Sequence, residues 1–229
     1  MTNTRHPASA TASHPGLWAR HFTLIELSIV LLILSIMLTA GMPALTSLAQ
    51  GRSVDTAART LQSTLRQARM QAITGRQYVA VLLPTSSNLN PLTMGAEGGH
   101  TSYRICTVSK PTAAATNALA AFSAWLQGSK MEYIPTGSLI GYVTDSLSLG
   151  SDNCDSVTMT SPPMTLIDAQ IFTGTCRAVI FKPSGRIRQS VNLYVHVVEG
   201  AGTPSTSTKN SITIRIEATT GKASIVEAT

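Results

Sequence analysis

The chain has 229 residues and a formal net charge of +6, with 43% hydrophobic and only 12% charged side chains. A composition that apolar excludes a disordered chain, and the length allows one modest domain beside any anchoring segment. Three cysteines without a CxxC or Cys/His cluster exclude a zinc-type metal centre, and we expect no cofactor and no metal.

Residues 1–21 are rich in Pro, Ser, Thr and Ala. They carry Arg5 and Arg20 but no acid, so this leader is expected to stay on the cytoplasmic side of a membrane. Without it the chain keeps 15 basic and 11 acidic residues, a formal +4. That balance permits a polyanionic partner without requiring one. Residues 22–50 then form an apolar run in which Glu26 is the single ionisable residue, a length that can span a bilayer. A carboxylate in hydrocarbon costs roughly 2.5 kcal/mol or more and marks a functional position. An ordinary secretory signal would put small residues after its apolar run; here the informative residues precede it.

The helix is expected to bend or loosen near Gly41 and Pro43, and to resume over 51–75. There Val54, Ala57, Ala58, Leu61, Leu65, Ala68, Ala72 and Ile73 recur at spacings of three and four, one apolar stripe with Arg52, Arg59, Arg66 and Arg69 off it. Gly75 is the expected C-cap. From residue 77 the period changes to two. Strands are predicted at 78–83, 102–109, 131–134, 139–144, 157–160, 178–182, 191–198, 212–218 and 223–226, rich in Val, Ile, Thr and Tyr and bounded by turn residues. Long connections fall at 84–101 and 110–130; within the second, 113–126 is either a short helix or a surface loop. The organisation is α+β: a long N-terminal helix, spanning a membrane in its first half, packed on an antiparallel sheet, with a β-rich domain over 76–229.

The segment His21-Phe22-Thr23-Leu24-Ile25-Glu26-Leu27, with the apolar run behind it, resembles the class III signal of type IV pilins and type II secretion pseudopilins. The resemblance implies cleavage between His21 and Phe22 by a prepilin peptidase, N-methylation of Phe22, and an assembly role for Glu26 and Pro43. His21 stands where the family usually has Gly. In the family the acid pairs with the terminal amine of a neighbouring subunit, and the physics agrees, because a buried carboxylate needs a cationic partner. Downstream, Leu61, Leu65, Ala68, Arg69, Ala72 and Ile73, then Val179-Ile180-Phe181-Lys182-Pro183-Ser184-Gly185, then 212–217 followed by Thr220-Gly221-Lys222, resemble GspH/FimT-type minor pilins and pseudopilins. The implied partners are other pilins or pseudopilins, the peptidase and an inner-membrane assembly platform. The implied location is a single-pass inner-membrane protein with a periplasmic domain, assembled into a pilus or pseudopilus.

The remaining candidates are weaker. No nucleophile elbow, Walker loop or HExxH helix occurs, so no catalytic residue is assigned and no enzyme is expected. His196 lies in an apolar alternation and is expected to be a packed or solvent-facing strand residue rather than a ligand. Asp152 and Asp155 flank Cys154 in a polar loop that a calcium ion could use. In an oxidising compartment Cys106, Cys154 and Cys176 allow three pairings, and Cys154–Cys176 is preferred because both lie near turns. Lys182, Arg186 and Arg188 form a basic cluster whose Gly185-Arg186-Ile187-Arg188 matches the GRxR letters of some DNA-uptake receptors. The competing function is therefore a DNA-binding receptor for natural transformation.

Overall fold

The computed structural model describes residues 23–85, 99–112, 117–148, 150–159, 174–202, 204 and 210–227, with the backbone alone for 40–51. His21 and Phe22 lie outside these residues, as does the side chain of Pro43. The chain divides into two compact units, Met1–Leu45 and Thr46–Thr229.

Helix α1 is Leu24–Gly75. Thr23 starts it: its hydroxyl accepts the Glu26 N–H at 3.3 Å, and its carbonyl accepts the Leu27 N–H. That is an N-cap, with Glu26 at the third helical position. At the other end Gly75 remains helical, and Arg76 takes the left-handed turn at φ 49°. The expected cap therefore lies one residue further on.

In the second unit Val54, Ala57, Ala58, Leu61, Leu65, Ala68 and Ala72 are fully buried, as their spacing predicts. Ile73 departs from the stripe and is partly exposed. The strands follow in order: β1 Tyr78–Leu82, β2 Ser102–Val108, β3 Leu119–Trp125, β4 Glu132–Tyr133, β5 Ser138–Thr144, β6 Asp155–Thr158, β7 Thr175–Phe181, β8 Leu193–Glu199, β9 Ser211–Ile216 and β10 Ala223–Glu227. Strand β3 replaces the expected helix or loop. Its residues Leu119-Ala120-Ala121-Phe122 alternate exposed and buried, and Ala120 and Phe122 supply the inward side. Alanine suits a helix intrinsically, but here burial of alternate positions decides.

The strands form two sheets rather than one. β1 pairs with both β7 and β2, and β7–β6–β3–β2 completes a closed five-stranded ring, with β4 appended to β2. Every pairing is antiparallel except β3 with β6. The lumen is filled by the Phe122 ring and by small and medium side chains, among them Ala80, Cys106, Ala120, Val157, Cys176, Ala178 and Ile180. So narrow a barrel has room for little else. The second sheet has the order β10-β9-β8-β5. The helix stripe, the outer face of β1 and β7 through Val79, Val81, Val179 and Phe181, and the inner face of β8 and β9 through Val195, Val197, Ile214 and Ile216 share one core.

Candidate functional site

Glu26 stands among exposed apolar side chains on the first part of α1. Leu24 is 84% exposed and Leu38 is 68% exposed, and every large apolar residue between them is open. The polar groups of this stretch turn inward. The Ser28 hydroxyl donates to the Leu24 carbonyl, Ser35 to Leu32, and Thr39 to Ser35 and Ile36. A hydroxyl bonded to its own helix tolerates an apolar surrounding. What remains outward is hydrocarbon and one carboxylate. The Thr23-x-x-Glu26 spacing, a sequence signal of a helix start, gives Glu26 a second role as a first-turn acid at the positive helix end.

The basic cluster is only partly assembled. Lys182-Pro183-Ser184-Gly185 makes a tight turn, with Gly185 N–H to the Lys182 carbonyl and Lys182 N–H to the Arg186 carbonyl. Arg186 is exposed and Lys182 is half-exposed. Arg188 leaves the cluster: it grips Asp155 with both guanidinium arms, Nε to Oδ2 and Nη2 to Oδ1, each at 2.8 Å. Both side chains are nearly buried, so Arg188 is a structural counter-ion and not a free cation for a ligand. The other Asp155 bond, from Ala118 N–H at 3.0 Å, holds the chain entering β3.

A second turn takes the place of Arg188. Gly221, at φ 67°, lies against Gly185 so closely that a β-carbon there would stand 2.0 Å from the Gly185 carbonyl oxygen. Arg69 of α1 fastens both turns, donating from Nε to the Gly185 carbonyl at 3.2 Å and the Thr220 carbonyl at 2.8 Å. Arg66 reaches the Ala223 carbonyl at 3.4 Å. The two glycine-containing motifs singled out in the sequence therefore belong to one contact, with the Gly221 backbone against Gly185 and Arg186.

The polar residues that looked free in the sequence are held in buried bonds. Arg177 on β7 stitches the barrel to the second sheet. Its Nε donates to the Leu83 carbonyl, Nη1 to the Gly141 carbonyl and to Asp152, and Nη2 to the Ile140 carbonyl and to His100 Nδ1. His100 Nδ1 lies 3.1 Å from both Arg177 Nη2 and the Ile140 carbonyl, so it accepts from the first in one tautomer and donates to the second in the other. Burial, and then the Arg177 charge, push the His100 pKa below its usual value. His196 lies between Thr144 and Thr213 at 2.9 and 3.0 Å. Thr144 gives its proton to the Ser146 carbonyl, so His196 Nε2 donates to Thr144 and Nδ1 accepts from Thr213. Burial lowers this pKa too. Both histidines are packed groups, and of the two settings expected for His196 the structure shows the packed one. Asp152 and Asp155 each face an arginine, which removes the proposed calcium loop, and among the described residues no group of His, Cys, Asp and Glu could hold a metal ion.

The cysteines are free and buried. The preferred Cys154–Cys176 pair is not formed, and the sheet explains why. On β7, Cys176, Ala178 and Ile180 point into the barrel, whereas Cys154 belongs to the core outside it. The two thiols lie on opposite faces of the same wall. Proximity to turns carried no information about facing. Burial pushes the Cys154 and Cys176 thiols up to about 12, and desolvation with the nearby Cys176 raises Cys106 as well. These are inert thiols.

No curated protein matches the chain in sequence. In three dimensions it is similar to the type IV minor pilin FimU of Pseudomonas aeruginosa in two crystal forms. One gives a TM-score of 0.42 at 8% identity, covering 77% of this chain and 90% of that one. The other gives 0.37 at 10% identity, covering 76% and 92%. In sequence, the family described as type II transport protein GspH matches residues 57–220, well over half of the chain and including the buried helix stripe from Ala57 onward and the turn at Gly185; the chain belongs to the GspH family.

Proposed function

We propose that this chain is a minor pilin or pseudopilin subunit, not an enzyme, that joins a type IV pilus or type II secretion pseudopilus through its N-terminal helix. The carrying observation is the set of open apolar side chains from Leu24 to Leu38 with Glu26 in their midst. Exposed hydrocarbon on that scale demands a partner: lipid before assembly, other subunits' helices afterwards. Among the described residues no helix is long and apolar enough to cross a membrane. The spanning reading rests on the sequence run, which continues to Gln50. In this reading residues 1–21 are removed between His21 and Phe22, Phe22 is methylated, and the β domain is periplasmic. Glu26 and Pro43 serve assembly at the inner-membrane platform, with a position at the tip or in priming. N-terminal sequencing of the membrane form should begin at Phe22, and an intact leader in cells with an active prepilin peptidase would refute it. Glu26→Ala should insert normally, since a charge is removed from an apolar span, and should be outcompeted by wild type in filaments. Equal incorporation would remove the role given to Glu26.

A second reading, a DNA receptor for natural transformation, draws support from the exposed Arg186 and half-exposed Lys182 in a turn whose backbone abuts the Gly221 turn that precedes Lys222. Binding would be sequence-independent and fall steeply with salt. Replacing Lys182 and Arg186 by Ala should weaken it and flatten the salt slope by up to about two contacts. Absence of binding at low salt eliminates this reading.

A further inference from the structure

Where the chain passes from β4 of the first sheet to β5 of the second, a cleft of about 330 Å³ opens. Small-molecule sites run from roughly 300 to 1,000 Å³, so this one has room for a single small unit. Its walls come from three places: Thr101 just before β2, the 133–139 segment that joins β4 to β5, and residues 200–202 after β8. Backbone bonds fix them to one another. Ile134 N–H donates to the Thr101 carbonyl at 2.8 Å, and Gly200 N–H to the Gly137 carbonyl at 3.1 Å. Ser138 sends both its N–H and its hydroxyl to the Pro135 carbonyl. The cleft is thus preformed, which spares a ligand the cost of ordering it.

The lining chooses the chemistry of the ligand. None of its side chains is charged. A phosphate, carboxylate or ammonium group would give up water here without meeting an opposite charge. Ile134 and Leu139 are buried and apolar, whereas the Tyr133 ring is 55% exposed. Thr136 is exposed and its hydroxyl can donate or accept; Ser138 gives its proton to Pro135 and keeps lone pairs that accept. Gly200, Ala201 and Gly202 carry nothing larger than a methyl group, so a ligand meets their backbone directly. A neutral pyranose sugar matches this set. Its C–H face suits the electron-rich face of a tyrosine ring, and its hydroxyls both donate and accept. An extended peptide matches it less well, because the N–H groups of Ile134, Ser138 and Gly200 are already spent between the walls.

We infer that this cleft binds one neutral pyranose unit, stacked on Tyr133 and hydrogen-bonded by Thr136 and Ser138. The unit is either a free sugar or one residue of a longer glycan. The site would serve the chain whether or not it enters a filament.

The test is saturation-transfer NMR on the full chain in a detergent without a sugar headgroup, with glucose, cellotriose, chitotriose and glucuronate as probes. Transfer is expected to the neutral sugars, strongest at their C–H protons, and severalfold weaker to glucuronate. Tyr133→Ala should lower affinity about tenfold, the upper worth of an aromatic contact, and Tyr133→Phe should largely retain it. Because Tyr133 is more than half exposed, the urea midpoint of Tyr133→Ala should stay at the wild-type value, which separates lost binding from lost folding. Thr136→Val keeps the shape, removes the hydroxyl and should weaken binding severalfold. A clear preference for the trisaccharides over glucose supports the site with a glycan chain as the source; equal affinity supports it with a free sugar. No transfer to any neutral sugar, equal binding by Tyr133→Ala, or stronger transfer to trialanine than to the sugars would overturn the inference.

Discussion

Helix α1 contains two apolar stretches that end in opposite circumstances. Between residues 24 and 38 apolar side chains cover every side of the helix and remain exposed; between 54 and 72 all but Met70 keep to one stripe and vanish into the core. The difference lies in periodicity, not in apolar content. A stripe needs one surface, and the chain supplies it from β1, β7, β8 and β9. An all-round apolar surface needs a surrounding medium, and the described residues leave it exposed. One stretch is therefore read through folding stability, the other through association.

The largest expected effect tests the buried stretch. Leu65 is fully buried at the centre of the stripe. Leu65→Ala removes its packing and leaves a cavity, at a cost of about 3 kcal/mol. Urea unfolding of the full chain in mild detergent should show a lower midpoint with an unchanged slope. A shift under about 0.5 kcal/mol, the range of surface substitutions, would mean that the stripe does not hold the domain.

A smaller loss is expected where α1 is held by polar bonds. Gly221 needs its left-handed backbone and has the Gly185 carbonyl against it, so Gly221→Ala meets both strain and a clash. We expect about 2 kcal/mol of destabilisation, from the strain range of a non-glycine residue in that region with the clash partly relaxed. The same substitution at Gly128, which also has a positive φ but nothing within 4 Å, should cost clearly less. Equal costs at the two glycines would remove the argument that the turns are packed on each other.

The two stretches were unequally legible in the sequence. The buried stripe was readable because period and facing coincide there, and Ile73 escaped because position along the stripe does not say how far the second turn reaches. The strands were readable from β-branched alternation. β3 was not, since Ala and Ser carry no strand signal and only its pairing with β2 and β6 reveals it. Ring closure of the barrel was invisible for the same reason, and it misplaced the cysteines: which wall a thiol faces depends on strand register. Arg188 looked like part of a surface cluster because its partner, Asp155, lies 33 residues earlier in the chain. The apolar side chains from Leu24 to Leu38 were legible, because an unbroken run is a local signal.

Acid should reach the domain through its buried histidines. His100 and His196 both have pKa values below the ordinary 6.5. The unfolded chain thus takes up protons that the folded chain refuses. Their contribution to stability is complete above about pH 6.5 and is lost as pH falls below it towards the folded values. His100 faces Arg177 and Asp152, so its protonation also sets two cations together. The unfolding midpoint should drop between pH 7 and 5, and His100→Gln should flatten part of that drop. A midpoint independent of pH over this window would contradict the buried neutral rings.

The smallest effect on stability belongs to the exposed stretch. Leu31 is 58% exposed, with no packing inside the chain comparable to that of Leu65. Leu31→Ala should therefore change the unfolding of the β domain by less than about 0.5 kcal/mol. The cost should appear elsewhere. Alanine offers less hydrocarbon to a bilayer or a neighbouring helix, so a Leu31→Ala, Leu34→Ala double variant should partition less firmly into membranes and enter filaments less well, while its soluble-domain melting stays at the wild-type value. A domain destabilised as strongly as by Leu65→Ala would mean that the first stretch has a partner within its own chain. Unchanged stability with unchanged assembly would mean that the exposed apolar surface has no partner at all, and the contrast between the two halves of α1 would lose its functional meaning.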